Sequence, residues 1–158
     1  MLQQFPCSSV LVKANCHVSR FIYGGYDNTD YSNINTPSDF TVLGDIWVLS
    51  LPGFKWFQAT VEGPPRWVHA CAVVGNRQMI SVGGVSAYAN AWTTNNPPVD
   101  PWAQGLGVLD LSLLSWSAQY DPTAAAYTSP DMVQAFYNDG FVDHIPFFVS
   151  NTDHFKAV

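Results

Sequence analysis

Short apolar or alternating runs, broken every few residues by Gly, Pro or Asn, fill the chain as far as residue 128. Such runs, bounded by turn formers and lacking a helical period, are the mark of β-strands. The pattern predicts strands over 8–13 and 17–23, a long polar connection over 27–44, and strands over 45–51 and 55–61 around a Pro52-Gly53 turn. Glu62-Gly63-Pro64-Pro65 breaks the pattern, and then the same order recurs. Its strands are 68–74 and 78–82 around Gly75-Asn76, a second long connection over 85–104, and strands 106–111 and 115–119. Only beyond this does a helix start appear. Ser129 is placed to cap, Pro130 to take the first helical position, and Asp131 to favour the positive end of the dipole, with the helix over 132–137.

The two halves are copies in register. Gly24-Gly25 and Gly83-Gly84 each close the second strand of a unit. Val48-Leu49-Ser50-Leu51 and Val108-Leu109-Asp110-Leu111 form the third strands, and Trp56 and Trp116 lie five residues beyond them. Each pair is separated by about sixty residues, and the two long connections interrupt the units at the same place. A fixed period of this kind signals a repeat architecture built from one supersecondary unit. The unit here is a four-stranded antiparallel meander, and the connections are insertions on one face of it.

Four strands per unit, a double glycine after the second and a Trp in the fourth resemble the kelch repeat, a blade of a β-propeller. The Arg66-x-x-His69-Ala70 start after Gly63-Pro64-Pro65 fits the way such blades begin. The long insertions and the Tyr120-Asp121-Pro122 exit resemble fungal kelch-containing proteins of the cell surface. One departure is Gly107, which stands where the first unit has Trp47. The resemblance implies an all-β fold of about two blades, over 8–61 and 66–120, with a C-terminal extension over 121–158 that carries the short helix. It also implies that this is part of a longer propeller, because kelch rings have more blades than two. On this reading Gly24, Gly25, Gly83 and Gly84 lie near a crowded axis, and Trp56 and Trp116 pack between adjacent sheets. Two blades leave apolar faces bare at both ends, which favours self-association.

The composition narrows the function. The net charge is −6, and the six Lys and Arg are scattered singly, so there is no basic patch to neutralise nucleic-acid phosphates. Aromatic residues make up 15% and charged residues only 11%, a balance that favours an extracellular or cell-surface setting for the parent protein. No apolar run has the length of a membrane span, and residues 1–12 do not read as a signal peptide. The cysteines are Cys7, Cys16 and Cys71, an odd number without zinc-binding spacing. Cys71 reads as a buried small hydrophobe. Cys7 and Cys16 flank a hairpin, and their pairing stays open.

No catalytic residue, metal or cofactor is assigned. His69 reads as a structural histidine, and the nucleophile-elbow and dinucleotide-loop patterns are missing. His144 and His154, beside Asp143 and Asp153, leave a metal site as the lesser reading. The function expected is therefore a non-catalytic protein-interaction scaffold. The alternatives are a carbohydrate-binding module and a fragment of a galactose-oxidase-like propeller enzyme. In a meander, the two insertions and the 62–65 link emerge on one rim, where recognition loops belong. Tyr26, Tyr31, Tyr88, Trp92 and Trp102 in these loops are the candidate partner contacts, for a protein or, by ring stacking, a carbohydrate. For Trp92 and Trp102, folding of the loop back onto the blade is an equal alternative.

Overall fold

The computed structural model describes residues 9–14, 17–28, 40–86 and 100–139. Its strands are Ser9–Ala14 (β1), His17–Tyr23 (β2), Tyr26–Asn28 (β3), Phe40–Val42 (β4), Ile46–Leu51 (β5), Lys55–Gln58 (β6), Arg66–Trp67 (β7), Ala70–Val74 (β8), Gln78–Val82 (β9), Val85–Ser86 (β10), Leu106–Asp110 (β11) and Ser115–Ser117 (β12). The helix α1 spans Asp131–Asn138. Two four-stranded antiparallel sheets form, in the orders β1-β2-β5-β6 and β8-β9-β11-β12, and these are the two meanders expected from the sequence. The fold is all-β, of kelch-type blades whose ring is not closed.

Several local expectations change. The 27–44 connection is not wholly irregular, because β3 and β4 pair as a short ribbon at its base. The expected 68–74 strand begins only at Ala70, because Val68 takes a left-handed φ of 56°, and Arg66–Trp67 ahead of it forms a separate ribbon with Val85–Ser86. Ser129 does not cap α1: Pro130 holds the cap position without a side-chain bond, and its carbonyl accepts from the Val133 and Gln134 amides. Residues 1–8, with Cys7, lie outside the described residues, as do Cys16 and the 140–158 tail with His144 and His154.

Strand alternation determines which face of each sheet is dry. In the first blade, Ser19, Phe21 and Tyr23 on β2 are aligned by pairing with Ser50, Val48 and Ile46 on β5, and all six are buried. In the second, Met79 and Ser81 on β9 lie beside Leu109 and Gly107 on β11 and are also buried. These two faces meet, with Val10, Val12, Cys71, Val73 and Trp116 completing one apolar cluster. Burial of this kind stabilises by about 25 cal/mol per Å² of apolar surface, so the junction between sheets dominates the stability of the fold.

The segment after β12 joins this core. Gln78 donates to the Asp121 carbonyl (2.6 Å) and accepts from the Asp121 amide (2.9 Å), while Asn76 donates to the Ala124 carbonyl (2.7 Å). Gln78 points away from the first blade, so this stretch runs over the lower, outer face of the second sheet. The chain then passes beneath the β8–β9 and β11–β12 turns. Tyr127 meets Phe21 edge-on at 6.2 Å, and the Thr128 amide donates to Ser112 (3.0 Å). On α1, Val133 and Tyr137 are one turn apart on the buried face. Tyr137 stacks on His17 (3.9 Å between ring centroids), its hydroxyl lies 3.1 Å from Ser50 Oγ, and it accepts from the Gly53 amide (3.1 Å).

The paired tryptophans part company. Trp116 packs against Tyr23 (5.0 Å) and Trp102 (4.7 Å), in the seam between the blades. Trp56 does not pack between sheets, and it is 47% exposed because no described segment lies against its side of the first blade. The same substitution at the two positions therefore has different outcomes. Trp116→Ala should lower the unfolding free energy by about 3 kcal/mol, whereas Trp56→Ala should cost about 1 kcal/mol or less. Urea titrations of the two variants measure the contrast.

Candidate interaction rim

At the end of the blades opposite α1, the two strand ribbons and the 62–65 link come together. The link is stitched to the first blade by backbone bonds from the Gly63 amide to the Gly44 carbonyl (2.9 Å) and from the Arg66 amide to the Leu43 carbonyl (3.1 Å). The Gly25 amide in turn donates to the Arg66 carbonyl (2.9 Å). This explains the double glycines. Gly24 and Gly84 have φ values of 68° and 86°. A Cβ at Gly24 would approach the Arg66 carbonyl oxygen to 2.5 Å and His69 Cε1 to 2.8 Å, and one at Gly84 would meet His69 Cβ at 2.7 Å. The glycines thus sit at the rim crossing and admit the incoming chain of the second blade.

Arg66 is the centre of this crossing. Its side chain is fully buried, and its guanidinium reaches the Gly83 carbonyl (2.7 Å) and Asp100 Oδ1 (3.0 Å) while lying 3.9 Å over the Trp102 ring. Gly83 and Asp100 stand before and after the second insertion, so one cation ties its two ends together. Asp100 also accepts from the Trp102 amide (2.8 Å). Burial alone would raise the Asp100 carboxyl, but the Arg66 hydrogen bond, the Trp102 amide and the Arg66 charge together hold it below the usual carboxylate range. His69 is pushed down to about 4 by burial and then by the Arg66 charge, so it is neutral at pH 7. Burial raises the Tyr23 phenol, partly opposed by Arg66, and its hydroxyl donates to the Pro64 carbonyl (2.5 Å).

The sequence-predicted contacts are distributed unevenly. Trp102 is half-buried against Tyr23, Trp116 and Arg66, and it fills the space left by Gly107, where a Cβ would be 2.5 Å from the indole. That part of the insertion folds back on the blade. Tyr26 lies on the rim, edge-on to Trp67 at 5.2 Å. Tyr31, Tyr88 and Trp92 lie outside the described residues. Sequence reading passed over Trp67, which the β7–β10 ribbon brings to the rim beside Tyr26, and Val68, which follows it. Val68 is 69% exposed and left-handed, a costly conformation for a β-branched residue. Among the described residues, no three His, Cys, Asp or Glu side chains group so as to hold a metal ion.

No protein-family model matches the chain. It is 34% identical over 120 residues to a "Kelch repeat-containing protein" of Arthroderma benhamiae, an alignment covering 73% of this chain and 16% of that protein. It is 25% identical over 111 residues to "Host cell factor" of Drosophila melanogaster, covering 68% of this chain and 7% of that protein. The chain thus spans a small fraction of the length of these relatives. The first of these similarities points to kelch repeats, in keeping with the two sheets.

Two outcomes test the crossing. Asp100→Ala leaves a buried guanidinium without its carboxylate and should cost about 3 kcal/mol, with faster hydrogen exchange at the Gly83 amide, which bonds the Gly105 carbonyl. The second test is pH. An unfolded chain protonates its histidine near 6.5, whereas folded His69 resists until about 4, so acid favours unfolding. Stability should fall as the pH drops from 6.5 toward 4, and Asp100 adds a further loss below its usual range. His69→Gln should flatten the upper part of that slope in urea titrations across pH.

Proposed function

We propose that this chain is a non-catalytic protein-interaction scaffold, and that its kelch-type blades form part of a longer propeller. The observation that carries the reading is the rim. A rigid crossing centred on Arg66 presents Tyr26, Trp67 and the exposed, left-handed Val68 beside the bases of both insertions. Backbone strain retained at an exposed apolar side chain is better accounted for by a contact than by packing. The similarity to kelch-repeat proteins supports a protein as the partner. Tyr31, Tyr88 and Trp92 belong to the same proposed surface by their place in the insertions, and a cell-surface setting of the parent protein is part of the proposal.

Val68→Asn separates binding from folding. Asparagine tolerates positive φ, so the variant should be more stable than the parent by up to about 1 kcal/mol. It should also lose the partner captured by the immobilised wild-type chain, as should Tyr26→Ala. Retention of that partner by both variants, with the fold intact by circular dichroism, would remove the rim from the function. Displacement of the partner by soluble glycans would instead identify the surface as a carbohydrate reader.

A further inference from the structure

We propose that the chain has a second binding site, at the α1 end and away from the rim, which takes one uncharged sugar unit. Helix α1, the segment leading into it and the β1–β2 hairpin enclose a pocket of about 280 Å³. That is just below the size of pockets that enclose drug-sized ligands, and it suits a single pyranose ring. Tyr127, Ser129 and Tyr137, all buried, form the deep wall, while Thr128, Gln134 and Asn138, all exposed, form the mouth.

Three features define the ligand. The first is charge. No Asp, Glu, Lys or Arg is among the described residues that line the pocket. A carboxylate, phosphate or ammonium group entering it would lose water without meeting an opposite carboxylate, guanidinium or ammonium, so a charged ligand is disfavoured. The second is the mixture of donors and acceptors. Gln134 and Asn138 stand one turn apart on the same face of α1, so two carboxamides flank the mouth. Gln134 Nε2 donates to the Ser129 carbonyl (2.5 Å), which fixes that amide and leaves its oxygen open to a donor. The side chains of Thr128 and Asn138 bond no other described residue. Deeper in, the Tyr127 hydroxyl is buried beside Ser19 and Ser129 yet outside hydrogen-bond geometry with either, and Ser19 Oγ is unpartnered among the described residues too. A buried hydroxyl without a partner calls for an explanation, and a bound polar ligand provides one. Amides and hydroxyls both donate and accept, so they match a ligand whose groups do the same, as neighbouring ring hydroxyls do.

The third feature is shape. His17 lies flat on Tyr137, with 3.9 Å between ring centroids and 15° between planes. The Gly53 amide and Ser50 Oγ hold the Tyr137 hydroxyl, so the stack is fixed in place. Together with Ala14 it gives the pocket one apolar flank. A pyranose has the same division, with a C–H face that packs on rings and hydroxyls around its edge. A flat aromatic base would need a slot between two ring faces, and here the two rings already close on each other. The pocket and the rim lie at opposite ends of the blades, so the two can be occupied together.

Titration calorimetry and NMR on the full chain, with the methyl glycosides of glucose, galactose, mannose and N-acetylglucosamine as probes, test this. At least one glycoside should saturate a single site and shift the side-chain amide signals of Gln134 and Asn138. Methyl glucuronide, which is charged, should bind roughly tenfold or more weakly than the best of them. Asn138→Ala and Thr128→Val remove side chains that hold nothing else in the described fold. Both variants should keep the circular dichroism and thermal midpoint of the wild type, and weaken the glycoside roughly fivefold to tenfold. Tyr26→Ala at the rim should leave its affinity unchanged. No saturable binding of any of these glycosides, glucuronide binding as tight as the best of them, or full affinity in both pocket variants would each overturn the proposal. Loss of the glycoside in Tyr26→Ala with the pocket variants unaffected would also overturn it, by moving the sugar to the rim.

Discussion

A buried guanidinium is costly unless every neighbour is arranged for it, and the geometry between the blades follows from that cost. Arg66 enters the second blade at the point where the chain leaves the first, and water cannot reach it. Its charge is balanced by a carboxylate from beyond the second insertion and a carbonyl from before it, while the Trp102 indole lies across its flat face. The glycines, the neutral histidine and the buried tyrosine are consequences of the same crowding. A side chain at Gly24 or Gly84 would strike the Arg66 or Trp67 backbone or His69, and a protonated imidazole would place a second positive charge beside the first. The insertions can therefore be long without loosening the blades, since their ends are fixed at the base. The entropy of closing such a loop grows only slowly with its length.

The two blades are alike in pattern and unlike in environment. Equivalent positions hold Tyr23 and Val82, Ile46 and Leu106, Trp116 and Trp56, yet one member of each pair is covered and the other is open. Chemistry follows the environment at Arg20, where the second blade has Met79. The segment past β12 adds a second asymmetry, because it lies over the outer side of one sheet and then fills the wedge beside the other.

The meanders were legible because strand alternation and turn residues are local signals, and the sixty-residue period let one copy check the other. The rim was legible in outline only. Val68 continues the apolar run of 68–74, and nothing local reveals that its backbone turns left-handed and sends Arg66 and Trp67 into a separate ribbon. Trp102 was ambiguous for the opposite reason: its seat is the absent side chain of Gly107, a long-range complement that appears in the sequence only as a departure from the Trp47 position. The role of Asp100 needed three-dimensional closure of the insertion before its pairing with Arg66 existed. Ser129 has the chemistry of a cap, but proline in the next position took the helix boundary instead.

The stretch from Asp121 to Tyr137 bears on how the molecule is made. Tyr137 bonds a serine 87 residues earlier, and Tyr127 closes on Phe21 across most of the chain. Contacts of such separation raise the contact order and slow folding. During synthesis both sheets emerge before the residues that seal the wedge between them. The nascent blades must therefore keep Phe21 and Ser50 unsealed until the helix is out of the ribosome, a window in which a chaperone has a surface to hold.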